Sequence, residues 1–222
     1  MPGHCANASV TRPPAAVTGL ILAGGRGSRL GGIDKGLLPI DGVPLVQRVA
    51  QRLAPQVDSL LVSANRNLDV YRALGFRVLE DGPFLDAGPL AGLRVGLQVC
   101  ATSWLLATPC DMPYLPTDLC QRLLNAAAPS DRRARVPFDG VRHHYACVLL
   151  PKTALAQVEH CLDGGRRRVQ DLLQTIGWLE VDFAEDLDVT DPGASSQHPR
   201  RAFSNINTAA DLAALGFRTD LP

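Results

Sequence analysis

Short solid runs of apolar residues alternate along the first half of the chain with segments whose apolar positions return every three or four residues. Phe76 to Leu79, interrupted by Arg77, reads as a further strand, while Leu20 to Ala23, Leu60 to Val62 within Asp58 to Ala64, and Trp104 to Ala107 are such solid runs. Each has the length and composition of a strand covered on both faces of a parallel sheet. Between them, Leu45, Val46, Val49 and Leu53 recur at helical spacing, with Gln47, Arg48, Gln51 and Arg52 on the opposing face and Pro44 suited to the first turn. Further helices are expected at Asp69 to Leu74, after Gly88 with Leu90, Leu93 and Leu97 on one face, and around Leu119, Leu123 and Leu124. Ile40-Asp41-Gly42-Val43-Pro44 reads as a turn. Repeated strand–helix units predict a right-handed, mainly parallel sheet.

The pattern changes after about residue 128. Arg135 to Phe138, Tyr145 to Leu150 and Trp178 to Asp182 read as strands, with helices near Thr153 to Cys161 and Val169 to Thr175. Asp139-Gly140 suits a tight turn, so an antiparallel addition to the sheet is expected. Ala184 to Arg201 reads as a mobile loop, and Ala202 to Asn207 leads into a last helix capped by Thr208, with Asp211 three residues on. Residues 1–17, rich in proline and small polar residues, read as a disordered N-terminal extension. There is no internal repeat and no second hydrophobic core. The expected fold is therefore α/β: one domain over 18–217, a Rossmann-like, mainly parallel three-layer sheet with a smaller antiparallel addition. A nucleotide half covers about 18–127 and an acceptor half about 128–217.

Composition narrows the function classes. The 222 residues carry 22 basic and 22 acidic side chains, a formal net charge of zero. That argues against a broad electrostatic footprint for nucleic acid or membrane. Six cysteines, at 5, 100, 110, 120, 147 and 161, show no Cys-x-x-Cys pair and no zinc-like spacing with the five histidines. They read as small buried hydrophobes in a reducing compartment. With no leader-like segment and no run long enough to span a bilayer, the expected location is cytoplasmic.

Candidate chemistry concentrates just after the first strand. Glycines at 24, 25, 27, 31, 32 and 36 are interleaved there with Arg26, Arg29 and Lys35. Glycine lets backbone N–H groups converge on an anion, and three cations beside such a nest favour a polyphosphate. Gly27 and Gly32 have the first Walker spacing, but Ile33 and Asp34 stand where Lys and Ser/Thr are needed. Gly25 and Gly27 start a dinucleotide fingerprint, but Leu30 replaces its third glycine. Ligands of open α/β sheets lie outside the carboxyl ends of strands. Ser63, Asn65 and Asp81 are thereby placed where a base or ribose is read. The glycines of Gly88-Pro89-Leu90-Ala91-Gly92 serve either close backbone approach to ligand or tight helix-to-sheet packing.

Leu22-Ala23-Gly24-Gly25, Arg29, Gly31-Gly32 and Asp34-Lys35-Gly36-Leu37 are followed in order by Glu80-Asp81, Gly88 to Gly92, Thr108 to Pro113 and Asn205 to Thr208. Over residues 18–216 this set resembles the signature of molybdenum cofactor guanylyltransferases, within the nucleotidyltransferases of nucleotide-diphospho-sugar transferase type. The resemblance implies transfer of GMP from GTP to the phosphate of molybdenum-bound molybdopterin, with Mg²⁺ required and pyrophosphate leaving. It implies catalytic roles for Arg29, Lys35 and Asp111, with Asp111 the metal ligand. Leu22, Ala23, Gly24, Gly25, Lys35, Ser63, Asn65, Asp81, Gly92 and Asp111 are the implied GTP-binding set. Arg166, Arg167, Asn205 and Asn207 are candidates for the pterin side. Asp34 is expected to orient Lys35 or its loop, and the His143-His144 pair to take a surface or pterin-lining place. Ser63 stands where the family often has Asn, and Ala209 where it often has Pro. The expected partners are GTP, the molybdenum-bound pterin and, transiently, molybdenum-insertion or molybdoenzyme proteins, with the chain monomeric and binding neither nucleic acid nor membrane. A CTP-dependent or sugar-phosphate nucleotidyltransferase, or a non-catalytic carrier of molybdopterin or nucleotide, is the alternative.

Overall fold

A computed structural model describes residues 16–24, 34–185, 202–206 and 211. Gly25, Arg26, Arg29, Asn207, the Thr208-capped helix and residues 186–201 of the expected loop lie outside the described residues.

The sheet has seven strands in the order β5-β4-β1-β6-β8-β7-β9. Strands β1 (Val17–Leu22), β4 (Ser59–Ser63), β5 (Arg77–Leu79) and β6 (Trp104–Pro109) run parallel. All but one of the residues of β1 and of β6 are buried, which accounts for their unbroken apolar runs. β1 starts earlier than its apolar run suggests. Val17 is fully buried, pairs with Trp104 and donates its N–H to Asp58, 2.7 Å away. It belongs to the sheet, so the N-terminal extension ends before it. Thr18 is tolerated in the same strand because its hydroxyl meets that of Thr102 at 2.9 Å.

The antiparallel addition lies inside the sheet. β8 (Val148–Pro151) pairs antiparallel with β6 on one side and β7 (Ala134–Phe138) on the other, while β9 (Trp178–Asp182) pairs parallel with β7. Asp139-Gly140 does turn the chain, with Phe138 bridged to His143 and Gly140 at φ 83°. A second turn, in which Cys147 N–H donates to the His144 carbonyl, delays β8 to Val148, three residues beyond the expected start. The stretch read as a single turn at 40–44 is a two-stranded hairpin of β2 (Pro39–Ile40) and β3 (Val43–Pro44).

Helices cover both faces. Helix α1 (Leu45–Leu53) presents Leu45, Val46, Val49 and Leu53, all fully buried, as its spacing predicts. Together with α2 (Leu68–Ala73) and α4 (Leu119–Asn125) it contributes to one core. Helices α3 (Pro89–Val99), α5 (Leu155–Asp163) and α6 (Val169–Ile176) close a second core, where the sequence pattern suggested only one. These are the three layers expected of an α/β fold. The five described cysteines are buried free thiols. Among the described residues no helix is long and apolar enough to cross a membrane.

Candidate active site

Three separated motifs meet where the central strands end. A small apolar cluster of Leu38, Ile40, Leu45, Tyr114 and Ile206 ties them together. Leu38 follows the Lys35 turn, Tyr114 follows Asp111, and Ile206 follows Asn205. Burial of these neighbours fixes the polar residues beside them. The Ile206 N–H also donates to the Asp111 carbonyl at 3.0 Å.

At the centre, Lys35 Nζ lies 2.5 Å from Asp111 Oδ2, both side chains being mostly shielded from water. The other carboxylate oxygen, Asp111 Oδ1, is buried with no hydrogen-bond partner among the described residues, as is Asn205 Oδ1. A buried, unpaired carboxylate oxygen beside an ammonium is costly unless something else occupies it. It is a hard oxygen donor of the type that divalent cations take together with phosphate oxygens and water. Among the described residues no group of three His, Cys, Asp or Glu side chains stands together that could hold a metal without such help. Burial, with the Asp111 charge adding to it, pushes the adjacent Cys110 thiol well above its ordinary value, so it remains a neutral neighbour rather than a nucleophile.

The turn carrying Lys35 is braced from beneath. The Asp34 carboxylate accepts from Gly36 N–H at 3.3 Å, from Tyr71 Oη at 2.7 Å and from Asn67 Nδ2 at 3.0 Å. It orients the loop, as expected. A Cβ at Gly36 would sit 2.4 Å from Tyr71 Oη, so only glycine admits this network. Burial, reinforced by Asp34, holds the Tyr71 phenol far above its usual range and keeps it a donor.

A second cluster lies one strand away. Strand β1 separates β4 from β6, pairing Leu22 with Ser63 on one side and with Pro109 on the other. Ala23 donates its N–H to the Ser63 carbonyl at 2.8 Å. The Asp81 carboxylate is buried; Ser63 Oγ donates to Oδ1 at 2.9 Å and Asn65 Nδ2 to Oδ2 at 2.6 Å. Asn65 Oδ1 in turn accepts the Asp81 N–H at 3.0 Å. Gly24 runs across this group, its open Cβ position 3.1 Å from Asn65 Nδ2. Of the two readings of Gly92, packing is the one seen. A Cβ there would lie 2.7 Å from Leu22 and 2.8 Å from Ser63 Oγ.

Leu22, Ala23, Gly24, Ser63, Asn65, Asp81 and Gly92 therefore assemble on one side of the strand ends, and Lys35, Asp111 and Asn205 on the other. Arg166 and Arg167 make no hydrogen bond to either group among the described residues. The Arg167 guanidinium donates to the Leu162 carbonyl at 3.0 Å, and its own carbonyl lies 3.2 Å from the open Cβ position of Gly88. His144 departs from the surface place expected of the histidine pair. His144 is buried, 2.9 Å from Asp139 Oδ2 and stacked on Phe203 at 4.7 Å. The second turn and the distant Phe203 enclose it. Its neighbour His143, partly exposed, meets Glu180 at 2.6 Å within a group formed by Phe138, Tyr145 and Trp178. The spacing also missed Arg135, buried in β7 with its guanidinium 4.3 Å over the Trp104 ring.

The family model of the MobA-like NTP transferase domain matches residues 19–177. A molybdenum cofactor guanylyltransferase of Ralstonia nicotianae is 50% identical over 215 residues, covering 93% of this chain and 98% of the relative. One from Cupriavidus taiwanensis is 42% identical over 203 residues, covering 89% and 95%. Among solved structures, molybdopterin-guanine dinucleotide biosynthesis protein A of Archaeoglobus fulgidus superposes with a TM-score of 0.69 at 18% identity, covering 89% and 95%, a likeness of fold. The chain belongs to the MobA-like NTP transferase family, among relatives named molybdenum cofactor guanylyltransferases.

Proposed function

We propose that this protein transfers GMP from GTP to the terminal phosphate of molybdenum-bound molybdopterin, forming the guanine dinucleotide and releasing pyrophosphate. The observation that carries the reading is the Lys35–Asp111 pair, with an Asp111 Oδ1 that no described residue satisfies. An anionic acceptor must approach an anionic α-phosphate, so repulsion is the first obstacle, and alignment with charge neutralisation answers it without a covalent intermediate. The acceptor phosphate oxygen forms a bond to the α-phosphorus while the bond from that phosphorus to the β-phosphate oxygen breaks. Lys35 brings a point charge to the triphosphate. Arg29, in the glycine-rich stretch of the sequence, is assigned to the leaving pyrophosphate. Asp111 holds Mg²⁺, which when bound neutralises charge on the triphosphate oxygens. Asp81 accepts from the adjacent N1–H and N2–H donors of guanine, a pair that cytosine lacks. Asn205, beside Asp111, and Arg166, Arg167 and Asn207 are assigned to the pterin side, within the 128–217 half.

The test is to incubate the protein and Mg²⁺ with molybdenum-loaded molybdopterin and GTP, CTP or ATP separately, identifying the dinucleotide by mass. Guanine dinucleotide alone is expected. Asp111→Asn, which removes a charge at little steric cost, should lower kcat about 10²- to 10³-fold. A cytosine product, or GTP binding with no pyrophosphate release, would replace this reading with a cytidylyltransferase or a carrier.

A further inference from the structure

Ser63 and Asn65 both turn their polar groups to Asp81. We propose that they are positioning residues: they set the plane of the Asp81 carboxylate and thereby make the site demand the 2-amino group of guanine. This rests on the guanylyl-transfer reading and concerns how the base is chosen. Guanine offers two parallel donors, N1–H and one hydrogen of N2. Hypoxanthine offers only N1–H, and adenine presents an acceptor at N1. A carboxylate matches guanine only when both its oxygens lie in the plane of the base. Rotation about the Cβ–Cγ bond of Asp81 would spoil the match and leave a single usable acceptor.

The structure opposes that rotation with one donor on each oxygen, Ser63 Oγ at 2.9 Å on Oδ1 and Asn65 Nδ2 at 2.6 Å on Oδ2. A carboxylate oxygen accepts more than one hydrogen bond, so each retains capacity for the ligand. Asn65 cannot swing away, because its Oδ1 holds the Asp81 N–H. Ser63 is confined by helix α3, whose Gly92 passes so close that any Cβ there would meet Ser63 Oγ at 2.8 Å. Gly24 crosses the group 3.6 Å from Asp81 Oδ2, measured from its open Cβ position. A site built to pair a substrate donor rejects the analogue lacking it, provided its acceptor cannot turn to another partner.

The experiment compares kcat/KM for GTP and ITP, using pyrophosphate release with molybdenum-loaded molybdopterin, in the wild-type protein and in Asn65→Ala, Ser63→Ala and Asp81→Asn, with a thermal melt of each. The wild type should prefer GTP. Asn65→Ala and Ser63→Ala should each reduce the GTP/ITP ratio by about tenfold, chiefly through a higher KM for GTP with kcat little changed. A purely structural role would lower the melting temperature and leave the ratio at the wild-type value; that result in both variants would overturn the proposal. If Asp81→Asn also keeps the wild-type ratio, the assignment of Asp81 to the base fails and the positioning role with it. Loss of preference in Asp81→Asn alone overturns only the positioning role.

Discussion

His144 shows how burial can reverse what a side chain's type suggests. Enclosure by Phe203 and the 144–147 turn depresses its basicity, and the Asp139 carboxylate opposes the effect without cancelling it; nearby Arg142 and His143 act in the same direction as burial. Asp139 itself is pushed up by burial but held below its usual range by N–H groups of Arg142 and Val141 and by His144. The sign for stability follows from linkage. Unfolded, the imidazole titrates near its ordinary 6.5; folded, it takes up a proton only at lower pH. Above about pH 6.5 both states are neutral at this position. As pH falls below that value the unfolded chain gains a proton that the folded chain refuses, and stability is lost. The melting temperature should therefore drop more between pH 7.5 and 5.5 in the wild type than in His144→Gln. Equal drops would show that His144 does not drive the loss. Adjacent histidines gave no sign of this in the sequence, because the atoms that bury one of them come from a residue 59 positions away.

Among the elements, the Lys35 turn has the most distinct dependence on its support. Tyr71 reaches from α2 to Asp34 across 37 residues, and Asn67, at φ 51°, precedes that helix in a left-handed conformation that asparagine tolerates. Tyr71→Phe removes one donor from a buried carboxylate and should cost about 1–3 kcal/mol of stability, read by denaturant unfolding. It should also raise the KM for GTP, because Lys35 loses its brace. Unchanged KM with lowered stability would confine Tyr71 to the fold. The meeting of the Lys35 turn with Asp111 was legible, since both follow buried parallel strands and such strands deliver their C-terminal loops to one edge. What holds them there was not. Leu38, Tyr114 and Ile206 look like ordinary apolar residues next to the motifs, and only the folded chain reveals that they form one cluster. Gly92 was equally readable as a ligand contact or a packing residue until Leu22 and Ser63 were seen against it.

For the whole molecule, the strand–helix alternation of the first half foretold the parallel strands, and the broken pattern after residue 128 foretold reversal. Which neighbours the reversed strand would take was not encoded locally, because β8 joins strands on either side of it in space. The same sheet and its two cores enclose the described thiols. Burial pushes Cys120 up to about 12 and Cys147 further, so neither supplies thiolate at neutral pH. Alkylation of the native protein by iodoacetamide at pH 7.5, mapped by mass spectrometry, should leave Cys100, Cys110, Cys120, Cys147 and Cys161 unmodified, and denaturant should expose all five. Modification of any of them in the native protein would contradict the burial seen here.

The reversed strand has a mechanical consequence. Because β8 pairs with β6 from Trp104–Pro151 to Ala107–Val148 and meets β7 at Arg135–Leu149, the strands before and after residue 128 belong to one continuous sheet. In the proposed transfer, a single sheet underlying both reactants leaves their approach to the loops at its strand ends.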